Sequence, residues 1–280
     1  MKNLTKVKFL KPVILLLFII VFAVFCISAQ KKDDSVKTEA VKQSKFINFE
    51  AKVTSEIVEI GDSKIEIVMH TSSKPKPIYF RPHENENTSG IAVSEILKKF
   101  GGTLVELKSK GVRNIDFLLS EKTFLFDPNR IFTIGGIEKT LGIGRTNAAI
   151  DAVSDFVEIL HSRFLTDKKL LIAVHNNTNG GQLSIETYKN NPDAEKVFIN
   201  PSRDIDDFFY VTDEKFFKFL MGKGFNVVLQ NNVNVTDDGS LSVYCGKNGI
   251  AYINVECEHG HLTQQIEMLG AIQEIIKEAE

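Results

Sequence analysis

The sequence predicts an α/β protein, a single domain with a mixed, mostly parallel β-sheet that carries helices on both faces. Short apolar runs typical of strands alternate along the chain with segments whose apolar residues recur at helical spacing. The chain has 280 residues, of which 43% are hydrophobic and 25% charged, enough apolar material for one sizeable core. No internal repeat divides it, so the domain is expected to span residues 46–280.

Residues 1–29 predict a secretory signal peptide. Four lysines precede the uncharged run Val13–Ile27 and the small pair Ser28-Ala29, which resembles a cleavage site. The apolar run is shorter than the ~20 residues that a spanning helix needs, which favours cleavage after Ala29 and leaves a retained membrane anchor as the alternative. We therefore expect an exported protein, periplasmic or secreted, that meets a membrane only through this segment if it is not cleaved.

The remaining composition argues against a nucleic-acid partner. Without residues 1–29 the chain holds 30 basic and 36 acidic residues, a net charge of about −6. Two cysteines, Cys245 and Cys257, follow the signal segment. In an oxidising compartment they would form one disulfide or remain as two buried thiols.

The elements follow in chain order. Residues 30–45 form a polar linker with hardly an apolar residue. Residues 46–69 alternate apolar and polar positions around Gly61-Asp62-Ser63, which predicts a β-hairpin. Further strands are expected at Ile78–Arg81, Thr103–Leu107, Phe117–Phe126, Leu170–Val174, Asn226–Leu229 and Ile250–Val255.

Four apolar stripes predict amphipathic helices, because their members recur three or four residues apart. They begin at Val93, Ile150, Phe216 and Ile266. The helices fall between or after the predicted strands, which is the pattern of a sheet covered on both faces.

Polar groups that follow the predicted strands are the candidate functional residues. His83 and Glu86 come after the first short strand in a His-x-x-Glu spacing, and His175 follows Leu170–Val174. Two histidines and one glutamate, with a fourth position left to water, are the ligands of catalytic zinc. The alternative for His175 is a strand-end histidine that is hydrogen-bonded to a loop carbonyl.

Two further segments bear functional groups. Asp127, Asn129 and Arg130 follow an apolar run, and Glu256 ends the last predicted strand. A carboxylate at a strand end is a candidate general base, with a solvated surface residue as the alternative.

Taken together, these segments resemble the zinc carboxypeptidase family and its aspartoacylase and succinylglutamate desuccinylase relatives. They occur in that family's order, from about His83 to His261. The resemblance implies a zinc carboxypeptidase-like fold, with His83, Glu86 and His175 as zinc ligands and Glu256 as the general base. It also implies that Asp127 bonds a ligand histidine and that Asn129 and Arg130 bind the terminal carboxylate of the substrate.

Two functional residues of the family have no clear counterpart in this sequence. A tyrosine upstream of the glutamate is expected, and of Tyr244 and Tyr252 we favour Tyr244, because Tyr252 lies within the last strand. An oxyanion-stabilising arginine has no clear motif, and Arg113 is placed by position alone.

The sequence therefore predicts an exported zinc hydrolase that cleaves a small peptide, or an acylated amino acid, beside a free carboxylate. An aspartoacylase-like deacylase is the second hypothesis. The third is a secreted binding module in which Phe208-Phe209-Tyr210 form a recognition patch, although such residues more often pack in a core.

Other polar features have an ordinary interpretation. Gly142-Ile143-Gly144 lacks the rest of a phosphate loop and predicts the start of a helix. Asp204, Asp206 and Asp207 lack the rest of a calcium loop and predict a solvated turn. His259 and His261 flank Gly260 near the predicted C-terminal helix, where packing or capping is the common role. Nothing in the sequence marks His70 or His161 as functional.

Overall fold

A computed structural model describes residues 51–167 and 169–279. The predicted signal peptide and linker lie outside them. The strands are β1 (Lys52–Ile60), β2 (Ser63–Thr71), β3 (Ile78–Arg81), β4 (Thr103–Leu107), β5 (Ile115–Leu119), β6 (Lys122–Phe126), β7 (Leu170–Asn177), β8 (Ala194–Phe198), β9 (Phe208–Val211), β10 (Val227–Gln230) and β11 (Ala251–Glu258). The helices are α1 (Asn87–Phe100), α2 (Ile134–Leu141), α3 (Asn147–Ile159), α4 (Glu214–Gly222), α5 (Leu241–Lys247) and α6 (Leu262–Ala279).

Nine strands form one mixed sheet in the order β1-β2-β4-β3-β7-β11-β9-β10-β8. The pairs β4-β3, β3-β7, β7-β11 and β10-β9 are parallel, and the other four neighbouring pairs are antiparallel. The mixed sheet is confirmed, with a larger antiparallel share than predicted. Its four central strands, from β4 to β11, all run in the same direction and so bring their carboxyl ends to one edge.

The core lies in two layers, one on each face of this sheet, as the alternation of strands and helices predicts. Helices α2, α3 and α5 cover one face, where Ile137, Val153 and Leu241 are buried. Helices α1, α4 and α6 cover the other, where Val93 and Leu269 lie among the buried residues. Each such side chain stabilises the fold by about 1.5–3 kcal/mol through the removal of apolar surface from water. No helix among the described residues is long and apolar enough to cross a membrane.

Three local predictions require correction. The expected single strand 117–126 is the hairpin β5-β6, which turns through Ser120 and Glu121 with φ of 49° and 63°. Because such a turn usually contains glycine or asparagine, the sequence hides it. Strand β7 continues through the polar residues His175–Asn177, since they pair with the end of β11. Phe208, Phe209 and Tyr210 lie in buried strand β9, so they belong to the core and form no surface patch.

A buried ionic cluster lies between β2, β3 and β4, and it includes His70. The Arg81 Nε donates to Glu106 Oε1 at 2.7 Å, and His70 Nε2 lies 2.9 Å from Glu106 Oε2. All three side chains are buried. Burial by itself raises the pKa of the Glu106 carboxyl, but the Arg81 guanidinium and the bond with His70 outweigh it and hold that pKa well below its usual range.

Changing Glu106 to glutamine is expected to lower the free energy of unfolding at pH 7 by about 3–5 kcal/mol, because Arg81 would remain buried without a counter-charge. A group whose pKa is depressed by folding stabilises the protein above its unfolded pKa, 4.5 for this carboxyl, and loses that contribution as pH falls. In urea unfolding, the free energies of unfolding of the wild type and the variant should therefore converge below that pH. Glu66→Gln on β2 is the control, and an unchanged Glu106→Gln protein would contradict the assignment.

Candidate metal centre

The candidate ligands and the candidate general base meet at the carboxyl ends of three adjacent parallel strands. His83 and Glu86 follow β3, His175 lies near the end of β7, and Glu256 near the end of β11. His175 and Glu256 are register partners across the β7-β11 pair, so their side chains share one face of the sheet. In open α/β sheets this edge is the usual place for a binding site.

Two imidazoles and one carboxylate converge here on a single point. The His83 Nδ1 lies 2.8 Å from Glu86 Oε1 and 3.2 Å from His175 Nδ1, and the His175 Nδ1 lies 3.0 Å from Glu86 Oε2. The three residues are 0%, 1% and 3% exposed. The structure thus brings together the three residues that the sequence predicts as zinc ligands.

This donor set fits zinc. Asp127 Oδ1 lies 2.8 Å from the His83 Nε2 and can accept a hydrogen bond from its N–H, which leaves the His83 Nδ1 lone pair, on the side of Glu86 and His175, to act as a ligand. The lone pairs of nitrogen and carboxylate donors that approach so closely repel one another unless a shared proton or a metal ion lies between them. His₂Glu is a known ligand set of catalytic zinc.

The electrostatics also favour a positive charge at this point. Burial alone would lower the pKa of the His83 imidazole, but the carboxylates of Glu86 and Asp127 outweigh it and raise that pKa. Burial alone would raise the pKa of the Glu86 carboxyl, but His175 and His83 outweigh it and hold that pKa well below its usual range. The carboxylates thus create a negative potential that favours a positive charge here, a proton or a metal ion, and the low pKa of Glu86 keeps its carboxylate ionised for ligation.

Arg113 lies beside the cluster, as its position in the chain suggested. Its Nη1 donates to Glu86 Oε1 at 2.9 Å, and its Nη2 donates to Asp127 Oδ2 at 3.0 Å. The guanidinium therefore compensates the charge of two carboxylates that surround His83. In this structure its donors are engaged by the protein itself.

Asn129 and Arg130 lie at the rim of the cluster. Asn129 Nδ2 is 3.5 Å from His175 Nε2, and its Oδ1 accepts the backbone N–H of Leu241 at 3.2 Å. The Arg130 side chain is 37% exposed, and its Nε lies 3.6 Å from Asp238 Oδ2. Its Nη1 donates to the Asn129 carbonyl oxygen at 2.7 Å.

Glu256 is buried beside this cluster. Asn254, two residues earlier on the same strand face, donates from Nδ2 to Glu256 Oε1 at 3.0 Å. Burial, with a smaller contribution from the Glu86 charge, raises the pKa of the Glu256 carboxyl, while His175 acts in the opposite direction. A carboxylate with a raised pKa is suited to accept and return a proton.

The predicted tyrosine occupies a different environment. The ring of Tyr244, in α5, stacks on His161 with ring centres 4.4 Å apart and packs against Phe132. Among the described residues, no hydrogen bond joins it to the three ligands. Burial raises the pKa of Tyr188, which the sequence analysis did not single out, and of Tyr252 in β11, and the charges of Glu256 and Arg130 act on both tyrosines. Tyr188 follows a polar loop without any motif, so only the folded chain reveals it.

The remaining features can now be placed. The glycines at 142 and 144 precede α3, which begins at a Thr146 cap, so the expected helix start is confirmed. Cys245 and Cys257 are buried and are not bonded to each other. Asp207 and His261 form a close pair, which is taken up below.

The fold of this chain is similar to that of several solved structures. No protein-family model and no curated protein matches the sequence. The fold is similar to that of a metallo-carboxypeptidase from Burkholderia cenocepacia, with 11% identity over 81% of this chain and 65% of that chain and a TM-score of 0.44. It is also similar to an aspartoacylase family protein from Mesorhizobium loti, with 12% identity over 80% and 67% of the chains and a TM-score of 0.42. A third is thrombin activatable fibrinolysis inhibitor, with 11% identity over 88% and 76% and a TM-score of 0.42.

At these identities and TM-scores the likeness concerns the fold and does not indicate which residues act. By its own geometry, the chain is an α/β protein with a mixed sheet and a candidate His-Glu-His metal centre at the carboxyl ends of its central strands.

Proposed function

We propose that this protein is an exported zinc-dependent hydrolase that cleaves an amide or peptide bond next to a free carboxylate. The supporting observation is that His83, Glu86 and His175 converge within 4.8 Å of one another, with Glu256 beside them on the neighbouring strand. A cluster that held metal for stability alone would not require a second carboxylate with a raised pKa.

His83, Glu86 and His175 would hold the zinc ion. When bound there, zinc would polarise the carbonyl of the substrate and lower the pKa of water towards about 7. Asp127 keeps the His83 tautomer that ligation requires, and Arg113 compensates the charges of Asp127 and Glu86. These two residues act through the ligands and need not touch the substrate.

Glu256 would accept a proton from the attacking water and return it to the leaving amine. Its Oε1 is held by Asn254, which leaves Oε2 for this exchange. Because burial raises its pKa, the carboxylate is a stronger base than an exposed glutamate when it takes the proton from water. The carboxylic acid so formed is still a stronger acid than an ammonium group, so it can pass that proton to the leaving amine.

Arg130 and Asn129 would place the substrate by binding its carboxylate. The planar Arg130 guanidinium matches a carboxylate and is 37% exposed, and the substrate would compete for it with Asp238 and the Asn129 carbonyl oxygen, which it contacts in this structure. A peptide with a free C-terminus and an N-acyl amino acid both present such a group. The class of substrate is therefore an acylated or peptide-bound amino acid with a free carboxylate.

A panel of substrates tests this proposal with the zinc-loaded protein. N-acetyl dipeptides with a free carboxylate, their C-terminal amides, and N-acetyl amino acids are compared by release of amine. We expect hydrolysis only where the carboxylate is free. Activity towards the dipeptides indicates a peptidase, and activity towards N-acetyl amino acids alone indicates a deacylase.

The Arg130→Gln variant is expected to lower kcat/KM for the free acids by roughly 10–150-fold, as for the loss of a charged hydrogen bond worth about 1.5–3 kcal/mol. Arg145→Gln, at an exposed loop, is the matched control. Equal rates for free acids and amides would contradict the role of Arg130. The absence of hydrolysis across the panel by a protein that binds zinc would contradict the class of substrate.

A further inference from the structure

A second group of metal-binding side chains lies at the end of β11, beyond Glu256. Asp207, immediately before β9, Cys257 in β11, and His261, immediately before α6, place one donor atom each within 4.8 Å of one another. The His261 Nδ1 lies 3.0 Å from Asp207 Oδ2, and the Cys257 thiol lies 3.5 Å from the His261 carbonyl oxygen. None of the three takes part in the proposed hydrolysis.

The donors differ in chemistry from a plain acidic cluster. Thiolate, imidazole and carboxylate together form a ligand set that favours zinc over calcium or magnesium, which prefer oxygen. Zinc bonds to such donors measure about 2.0–2.3 Å. The three atoms, which lie within 4.8 Å of one another, are close to the spacing that one ion requires. Cys257 and His261 also stand four residues apart on a tight turn, so the backbone already holds them close.

The surroundings of the group carry an excess of negative charge. Asp204, Asp206 and Glu258 lie near Asp207. Among the described residues, His261 is the only group that forms an ion pair with any of these four carboxylates. The Glu258 Oε2 is buried and has no hydrogen-bond partner among the described residues. It lies 3.7 Å from the His261 Nε2. A bound divalent cation would compensate this charge.

A buried amide beside the group is also incompletely satisfied. Asn177, which is 8% exposed, is the register partner of Glu258 across the β7-β11 pair. Its Nδ2 donates to the Asp206 carbonyl oxygen at 2.6 Å, but its Oδ1 has no hydrogen-bond partner among the described residues. Buried polar atoms without partners are uncommon, and a bound ion or water is a usual explanation.

We propose that Asp207, Cys257 and His261 form a second, structural metal site that takes a divalent, sulfur-accepting cation such as zinc. The ion would join the end of β11, the start of β9 and the start of α6. It would thereby fix the strand end that bears Glu256, although it binds independently of the hydrolytic centre.

Cobalt(II) provides a test that separates the two sites, because only the second has a sulfur ligand. The purified protein is reconstituted with Co²⁺ under reducing conditions and examined for sulfur-to-cobalt charge-transfer absorption in the near ultraviolet. We expect this band in the wild type and also in a His83→Ala, His175→Ala variant. The result therefore does not depend on whether the first site binds metal.

Matched variants identify the sulfur. Cys257→Ala is expected to abolish the band, whereas Cys245→Ala, which removes the other buried thiol, should retain it. In the His83→Ala, His175→Ala background, the zinc content should fall from about one ion per chain to none when Cys257→Ala is added. His261→Ala, a change at a half-buried position, should produce the same loss if Cys257→Ala proves unstable.

The proposal is overturned if the wild type, folded by circular dichroism, shows no band with excess Co²⁺. It is also overturned if the band survives Cys257→Ala. In either case Asp207 and His261 form an ordinary ion pair.

Discussion

Replacing both His83 and His175 by alanine is expected to remove about one zinc ion per chain and to abolish hydrolysis. The two imidazoles provide two of the three donors that converge at this centre, and Glu86 alone cannot hold the ion. The change also leaves Glu86 buried without either histidine, although Arg113 still pairs with it. Elemental analysis and activity towards the most active substrate of the panel would measure both effects.

The matched control is His259→Ala, which removes an exposed histidine from the turn after β11. Its zinc content and activity should equal those of the wild type. Circular dichroism would establish that the double variant is folded. A folded double variant that has the same zinc content as the wild type and keeps its activity would contradict the ligand assignment.

Replacing Glu256 by glutamine is expected to lower kcat by roughly 10²–10⁴-fold, the usual contribution of a general base, with the zinc retained. Glutamine preserves the size of the side chain and its bond with Asn254, but it cannot accept the proton. KM should change little, because Arg130 and Asn129, which we propose bind the carboxylate, are unchanged. Steady-state kinetics and elemental analysis on the same sample would separate these effects.

The pH profile provides a second measure of the same residue. Glu256 must be deprotonated to act as a base, so kcat/KM should rise with pH on an acidic limb that lies above the ordinary glutamate pKa, because burial raises the pKa of this carboxyl. That limb should be missing from the residual activity of Glu256→Gln. Glu267→Gln, at an exposed position of α6, is the control. Full activity of a zinc-loaded Glu256→Gln protein would contradict the general-base role.

Much of the fold was predictable because it depends on local patterns. Strands β3 and β4 have the predicted bounds, and the stripes that begin at Val93 and Ile266 lie in α1 and α6. Strands β8 and β9 and helices α2 and α5 were not predicted. Strand β8 has no periodic apolar pattern, since it lies at the sheet edge where few of its side chains are buried. Such a strand is formed by pairing with β10, which no local pattern records.

The metal centre was predictable in part for the same reason. The spacing of His83 and Glu86 is local, so sequence alone suggests that both reach one ion. The pairing of β7 with β3 and β11 brings His175 and Glu256 to them from distant parts of the chain. Tyr244 shows the limit, because its stacking on His161 depends on helix packing that leaves no trace in spacing.

The sequence by itself determined the class of fold, the strand ends that bear functional groups, and a ligand set suited to zinc. Apolar periodicity encodes which face of an element is buried, and that information is local. Only the tertiary structure decided that His83, Glu86 and His175 share one centre, that Asp127 and Arg113 support it, and that Cys257 lies beside Asp207 and His261. These contacts join residues from separate strands and loops, and their distances are set by the register and packing of the whole sheet.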